Sequence, residues 1–232
     1  MKTKDTWGKR RMLLPILLAI SVLLAAGGWG TAVYFKMSHT PRLNPDALEN
    51  LRSNELWAGS DSALLEAFER RNSEKRGGFT GKEISEDALQ LLGWAATGKN
   101  RDGAGFVVPL AMGAEPYVSL YLVQESGVRR FSWQNNSFEN VIDSNILNTV
   151  NGGQSASAVW IYVIEIDEVP RGNMDWAWHA IGAMSEHQYL LADEFDIQAR
   201  FMASIRAEEV ASLLGLDTSK NLPAGLMVMA QK

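Results

Sequence analysis

An uncharged apolar stretch near the N-terminus constrains this chain more than any other feature. It reads MLLPILLAISVLLAAGGWGTAVYF and runs from Met12 to Phe35. As a helix, it is long enough to cross the roughly 30 Å hydrocarbon core of a bilayer with some tilt. The aromatic residues near its end, from Trp29 to Phe35, suit a membrane interface. The stretch therefore predicts a single transmembrane anchor over residues 12–35.

A cleaved signal peptide is the other interpretation of the same stretch. Its apolar region would stop near Ala26, and AAG at 25–27 is an acceptable small-residue cleavage site. The apolar character continues past this point to Phe35, which favours an anchor that is not cleaved.

The basic tail, residues 1–11, sets the orientation of the anchor. Against the single Asp5, it carries five cations: Lys2, Lys4, Lys9, Arg10 and Arg11. Only Lys36 and Arg42 follow the apolar stretch closely, so the positive-inside rule leaves the N-terminus in the cytoplasm. We therefore expect a single-pass protein of the cell membrane whose C-terminal domain lies outside the cytoplasm, in the periplasm or the extracellular space.

The charge balance and the residue types exclude several classes of function. The net charge is −5, with 27 acidic and 22 basic residues, so no overall basic field attracts nucleic acid. The chain has no cysteine, which excludes disulfides, thiolate metal sites and cysteine nucleophiles. With three histidines and no HExxH pair, a zinc site is not expected either.

The rest of the chain divides into a linker and one domain. Residues 36–60 contain two prolines and several turn formers, and they read as a linker with one short helix at Asp46–Leu56. From residue 61 to residue 232 the pattern is that of a single globular domain.

The pattern of this domain predicts an α+β fold. Apolar residues recur at helical spacing over 61–71, 85–98, 174–195 and 206–214. Strands rich in β-branched and aromatic residues are predicted over 117–124, 128–133, 157–166 and 224–231. Gly127 is expected to join the first two strands as a hairpin, so most neighbours in the sheet should be antiparallel.

The stretch RRNSEKRGGF, residues 70–79, lies between the first two predicted helices. One interpretation is a basic turn that is simply solvated. The other is a phosphate-binding loop, because backbone amides near a helix start together with Arg or Lys are what a phosphate monoester needs. The stretch by itself does not decide between them.

Further motifs follow this stretch in order: LLGWAATGKNR at 91–101, PLAMG at 109–113 and WHAIGAMSEHQYLLADEFDIQARF at 178–201. Together with RRNSEKR they resemble the nitroreductase superfamily of FMN enzymes, particularly its azoline dehydrogenase-like branch. There an Arg-x-Ser-x-Arg motif leads to an LLWAA helix followed by Arg, then to a PSA-N motif, a hairpin and a late helix. The resemblance runs from about Arg70 to the C-terminus.

The resemblance implies a nitroreductase-like α/β/α sandwich with a mostly antiparallel central sheet. It also implies an FMN cofactor, with NAD(P)H as a candidate electron donor, a small-molecule substrate, and a homodimer in which both subunits build each flavin pocket. The cofactor-binding residues that it implies are Arg71, Ser73, Lys75, Arg76 and Arg101. No catalytic side chain is assigned, because the reaction chemistry belongs to the flavin.

Two other groups of residues are candidates for flavin contacts. Four tryptophans are candidates to flank a planar ring, namely Trp94, Trp160, Trp176 and Trp178, although tryptophans at helix and strand positions are more often core residues. Lys232 is a candidate late cation, although a terminal lysine is more often solvated.

The sequence also departs from the family at several motif positions. Leu110 replaces the motif serine, Gly113 replaces the asparagine, and 196–197 holds Asp-Ile where relatives have Gly-Leu-Gly. These departures support a second hypothesis beside that of a membrane-anchored FMN oxidoreductase. In it, the domain is a nitroreductase-fold binding or assembly module at the membrane that has lost its cofactor.

Overall fold

The computed structural model describes residues 63–103 and 105–232 of the chain. The predicted anchor over 12–35, the basic tail and the linker helix at Asp46–Leu56 lie outside the described residues and stay predictions. Within the described part, no helix is both long enough and apolar enough to cross a membrane.

The described residues form five α-helices and six β-strands. The helices are α1 (Ala63–Arg70), α2 (Glu86–Thr97), α3 (Leu147–Val150), α4 (Met174–Glu194) and α5 (Ala207–Leu213). The strands are β1 (Val118–Gln124), β2 (Gly127–Ser132), β3 (Ser137–Ile142), β4 (Ala158–Glu165), β5 (Ile197–Met202) and β6 (Asn221–Gln231). These bounds confirm the predicted helices and strands to within a few residues.

The six strands form one sheet in the order β3-β2-β1-β4-β6-β5, and every neighbouring pair is antiparallel. Helices α2 and α4 cover one face, where Trp160 and Tyr162 of β4 are buried. Helices α3 and α5 cover the other face, which buries Ile161 and Val163 of the same strand. The predicted α/β/α sandwich is thus confirmed, with a sheet that is antiparallel throughout.

Helix α2 follows directly from its sequence. The Ser85 side chain caps its N-terminus by accepting a hydrogen bond from the Ala88 amide at 3.3 Å. Leu89 and Leu92, three residues apart, are fully buried against the sheet. Gly93 allows the close approach, because a Cβ atom there would lie 2.6 Å from the Phe131 ring of β2.

Gly127 lies in a different place from the predicted one. It is the first residue of β2 and pairs with Gln124, so the turn of the hairpin consists of Glu125 and Ser126. Its φ angle is +130°, and a Cβ atom would lie 2.3 Å from the carbonyl oxygen of Ile142. Glycine is required for two reasons. A residue with a side chain would be strained at this φ angle, and the carbonyl oxygen of Ile142 occupies the position of a Cβ atom.

The sequence patterns do not predict β3, β5 or α3. Strand β3 lies at one edge of the sheet, pairs only with β2 among the described strands, and is partly exposed along its length. Its sequence, SFENVI, therefore mixes polar and apolar residues without clear alternation. Helix α3 is a single turn, which is too short to show a periodicity.

A buried polar link joins the central strand to both helices of one face. The Tyr162 hydroxyl of β4 donates a hydrogen bond to the side-chain oxygen of Gln188 in α4. The amide of Gln188 in turn donates to the backbone carbonyl of Leu92 in α2 at 3.2 Å. Burial raises the pKa of Tyr162 well above its ordinary value, so its hydroxyl keeps the proton that it donates.

Candidate functional site

The basic loop, residues 70–76, runs along the edge of the sheet next to β5. The Glu74 amide donates a hydrogen bond to the carbonyl oxygen of Ala199 at 2.8 Å, and the Arg200 guanidinium donates to the carbonyl oxygen of Glu74 at 3.0 Å. The loop thereby covers backbone groups that an edge strand would otherwise expose.

Two buried glutamines hold the residues that follow this loop. Gln154 accepts a hydrogen bond from the Gly77 amide at 2.7 Å. Gln198 accepts one from the Thr80 amide at 2.8 Å and donates one to the Gly78 carbonyl, also at 2.8 Å. The amides of Gly77 and Thr80 are therefore already engaged and are not available to bind an anion.

Arg71 and Ser73 converge on one residue of α4, Tyr189. The guanidinium carbon of Arg71 lies 5.1 Å from the centre of the Tyr189 ring, and its Nε lies 3.4 Å from a carboxylate oxygen of Glu186. The Ser73 hydroxyl lies 3.1 Å from the Tyr189 hydroxyl, which also accepts a hydrogen bond from the Phe201 amide at 2.6 Å. Both predicted residues therefore contact the same side chain of α4.

Arg70, the first cation of the stretch, forms ion pairs with two carboxylates. Its Nε donates to Asp193 of α4 at 2.9 Å, and its Nη1 lies 3.5 Å from Glu66. The hydrogen bond and the charge of Asp193 raise the pKa of Arg70 above its ordinary value. Arg70 is thus part of the contact between α1 and α4.

The other three predicted cofactor residues lie at the surface. Lys75 and Arg76 are exposed on the turn that follows Glu74, and neither side chain has a hydrogen bond or ion pair with another described residue. Arg101 is exposed in the separate loop after α2, where its Nε lies 3.4 Å from the Asn100 side chain. Lys75 and Arg76 therefore share the loop of Arg71 and Ser73, whereas Arg101 makes no described contact with that loop.

A small cavity of about 110 Å³ lies between the basic loop, the end of α4 and the chain's last residue. Its charged lining residues are Arg70, Glu74, Asp193 and Lys232. Lys232 lies 3.6 Å from Asp196, which pairs the candidate late cation with a carboxylate. The volume suits a phosphate-sized group, since pockets for whole small molecules usually measure about 300–1,000 Å³.

The surface of α4 from Trp178 to Glu186 is open. Gly182 lies one turn before Glu186, and a Cβ atom added there would meet no described atom within 4 Å. Trp178, one further turn away, is 45% exposed, whereas Trp160 is fully buried in the core. We call Trp178, Gly182 and Glu186 the open face of α4; at 1.5 Å per residue it extends about 12 Å.

The PLAMG segment lies near the start of the same helix. It contains a short 3₁₀ turn, Ala111–Gly113, in which Met112 is 65% exposed. The Ala111 amide lies 3.4 Å from the Tyr117 hydroxyl, which lies 3.4 Å from the carbonyl oxygen of Trp176. The two motif segments therefore adjoin different ends of α4, with the open face of α4 between them.

A larger groove of about 740 Å³ lies beside β1 and β2, and it has the wrong charge for a phosphate. It is lined by four carboxylates, those of Glu115, Glu139, Glu165 and Glu168. Arg130, which also lines it, is bound to Glu165 at 2.6 Å. The candidate flavin site is therefore at the basic loop.

The sequence patterns miss the α4 residues that organise the basic loop. Tyr189, Glu186 and Asp193 belong to an ordinary helical pattern, and nothing local marks them as site residues. Ser73 and Tyr189 are 116 positions apart in the chain. Only the packing of the loop on α4 brings them together.

Solved structures of other proteins share this architecture. No family model and no curated protein matches the sequence. A protein of Ralstonia eutropha named as a nitroreductase has a TM-score of 0.64 at 20% identity, covering 75% of this chain and 84% of that chain. A chain of the E. coli microcin synthetase McbBCD complex with truncated pro-MccB17 bound has a TM-score of 0.59 at 16% identity, covering 91% of this chain and 93% of that chain.

A third structure is that of a Desulfovibrio desulfuricans protein named as a nitroreductase, in complex with FMN. Its TM-score is 0.55 at 15% identity, covering 74% of this chain and 87% of that chain. At such identities the likeness concerns the fold alone. It agrees with the antiparallel sheet between two helical layers. This chain therefore has the nitroreductase fold.

Proposed function

We propose that the protein is a membrane-anchored, FMN-dependent oxidoreductase whose flavin lies along α4. The observation that carries the proposal is the convergence of Arg71 and Ser73 on Tyr189, at one end of the open face of α4. Two further facts support it. The PLAMG segment adjoins the other end of the helix, and one protein with this fold is in complex with FMN.

The side chains of the basic loop fit the phosphate end of FMN. The Arg71–Glu186 pair is long, at 3.4 Å, and its side chains are 35% and 43% exposed. Such exposed pairs contribute little to stability, so a phosphate dianion can replace Glu186 as the partner of Arg71. Ser73 adds a neutral hydrogen bond, and Lys75 and Arg76 add charge from the same loop.

The ring end of FMN has to lie on the surface. The cavity beside the loop, at about 110 Å³, is too small for the ring, whereas the open face of α4 extends about 12 Å from Glu186 to Trp178. A planar apolar ring on an open surface needs a cover. We propose that a second copy of the chain supplies it in a homodimer.

The chemistry at this site would come from the flavin, which accepts a hydride and passes the electrons to a second substrate. The chain's own residues bind and orient it: Arg71 and Ser73 hold the phosphate, and α4 supports the ring. NAD(P)H as the donor and a small molecule as the acceptor remain part of this proposal.

The cofactor-free binding module is the second candidate function, and a specific observation favours it. Arg70 is tied to Asp193, whose side chain is only 12% exposed, and Glu74 brings another carboxylate to the same cavity. These groups oppose an anion at this end of the loop. The replacements at Leu110 and Gly113 point in the same direction.

The visible spectrum of the purified protein separates the two candidates. We expect the full-length chain, purified in detergent and incubated with excess FMN, to retain stoichiometric flavin after free FMN is removed. The retained flavin should show the absorption bands of an oxidised isoalloxazine. A chain that retains no flavin after this treatment supports the cofactor-free module instead.

The membrane anchor makes a separate prediction. We expect the full-length protein to sediment with membranes and to resist extraction by alkaline carbonate, because a spanning helix satisfies its backbone polar groups internally. A control in which Leu17 and Leu18 are both replaced by arginine should appear in the soluble fraction, since charges at mid-span oppose insertion. Recovery of a mature chain beginning near Gly28 in a soluble fraction would show a cleaved signal peptide.

A further inference from the structure

We propose that Tyr189 is a positioning residue that makes the basic loop selective for a phosphate monoester. This inference rests on the proposed function. Tyr189 is 8% exposed, so its ring is anchored in α4 while its hydroxyl reaches the loop. It contacts both side chains assigned to the phosphate, Arg71 and Ser73.

The hydrogen bonds of the Tyr189 hydroxyl favour one direction of the Ser73 proton. The Phe201 amide of β5 donates to the Tyr189 oxygen at 2.6 Å. The Tyr189 proton then has one acceptor among the described residues, the Ser73 oxygen at 3.1 Å. If Ser73 donated instead, the Tyr189 proton would have no acceptor among the described residues. The favoured arrangement therefore has Tyr189 donating to Ser73, which keeps its own proton for an external acceptor.

The Tyr189 ring acts on the second donor of the loop. The Arg71 guanidinium lies 5.1 Å from the ring centre, within the range of a cation–π interaction. This contact holds the guanidinium against the same residue that contacts Ser73, while its ion pair with Glu186 is long and exposed. One side chain thus positions a neutral donor and a charged donor, and an oxyanion with several acceptor atoms can use both.

FMN and riboflavin provide the test, because they share the ring and differ in the phosphate. We expect Tyr189→Phe, which keeps the ring and removes the hydroxyl, to weaken FMN binding about three- to tenfold by loss of one oriented hydrogen bond. Riboflavin affinity should not change. Both affinities are measured by quenching of flavin fluorescence, with the full-length chain in detergent.

A double-mutant cycle tests whether Tyr189 acts through Ser73. Ser73→Ala should lower the FMN-to-riboflavin affinity ratio by a similar factor, and the double variant should be no worse than Ser73→Ala alone. The matched control is Tyr117→Phe, which removes a buried hydroxyl near the other end of α4. It should leave the ratio unchanged.

The outcomes are distinguishable. If the wild type prefers FMN but Tyr189→Phe keeps the full ratio, or weakens both flavins equally, Tyr189 is only structural and the inference is wrong. If the wild type binds neither flavin, the proposed function fails and the inference fails with it. Should Tyr189→Phe not fold, an unchanged ratio in Ser73→Ala would overturn the inference.

Discussion

Replacement of Arg71 by alanine is expected to weaken FMN binding about ten- to a hundredfold, because a charge-assisted hydrogen bond to the phosphate is lost. Folding stability should hardly change, since the ion pair of Arg71 with Glu186 is long and exposed. Titration of the full-length chain with FMN at fixed salt, followed by flavin fluorescence, gives the affinity. Lys75→Ala/Arg76→Ala should weaken binding less, because these side chains lie at the exposed turn.

Two further variants sharpen this prediction. Arg206→Ala removes the same charge from an exposed arginine that pairs with Glu209 away from the basic loop, so FMN affinity should stay the same. Glu186→Gln removes the carboxylate that competes with the phosphate for Arg71, so FMN should bind several-fold more tightly. Equal affinities in the wild type, Arg71→Ala and Glu186→Gln would exclude the basic loop as the phosphate site.

Gln188→Leu is expected to lower the free energy of unfolding by about 2–3 kcal/mol, because it removes a buried polar partner. Gln188 is fully buried, and its loss leaves the Tyr162 hydroxyl without an acceptor inside the core. The leucine side chain has a similar volume, so the cost comes mainly from the orphaned hydroxyl. Denaturant unfolding followed by tryptophan fluorescence measures the change, and Trp160 is a buried reporter in the same core.

A second substitution tests this explanation. Tyr162→Phe in the Gln188→Leu background removes the orphaned hydroxyl and should recover much of the lost stability, because replacing both partners by apolar groups is nearly neutral. Gln134→Leu is the control: this glutamine is exposed and should change stability by less than about 0.5 kcal/mol. A double variant less stable than Gln188→Leu alone would show that the cost arises from packing instead.

These two sets of variants separate the scaffold from the site. The link from Tyr162 through Gln188 to Leu92 lies inside the sandwich and serves the fold whether or not a flavin binds. The contacts of Arg71 and Ser73 lie at the surface of α4, where the two proposed functions make opposite predictions. A stable protein that binds no FMN would therefore retain the nitroreductase fold and support the cofactor-free module.

The sequence by itself determined most of the regular structure. The helices α2 and α4 and the strands β1 and β4 carry strong periodicity, caps or β-branched runs, and such signals are local. The patterns did not predict β3, β5 or α3. Strands β3 and β5 are the two edges of the sheet and are partly exposed, and α3 is a single helical turn, so none of the three carries a clear pattern. The place of Gly127 also depended on its partner strand, because the carbonyl of Ile142 fills the space of a side chain.

Part of the candidate site could likewise be predicted from the sequence, and the rest depended on the tertiary structure. Motif order along the chain selected the basic loop and assigned Arg71 and Ser73, but it also grouped them with Arg101, which lies in a separate loop. Only the tertiary structure decided that the amides of Gly77 and Thr80, just after the loop, are engaged by buried glutamines and that Tyr189 contacts both Arg71 and Ser73. The physical reason is that periodicity in the sequence indicates only which face of a helix or strand is buried. The candidate site depends instead on contacts between side chains more than a hundred positions apart, and only the packing of the folded chain creates such contacts.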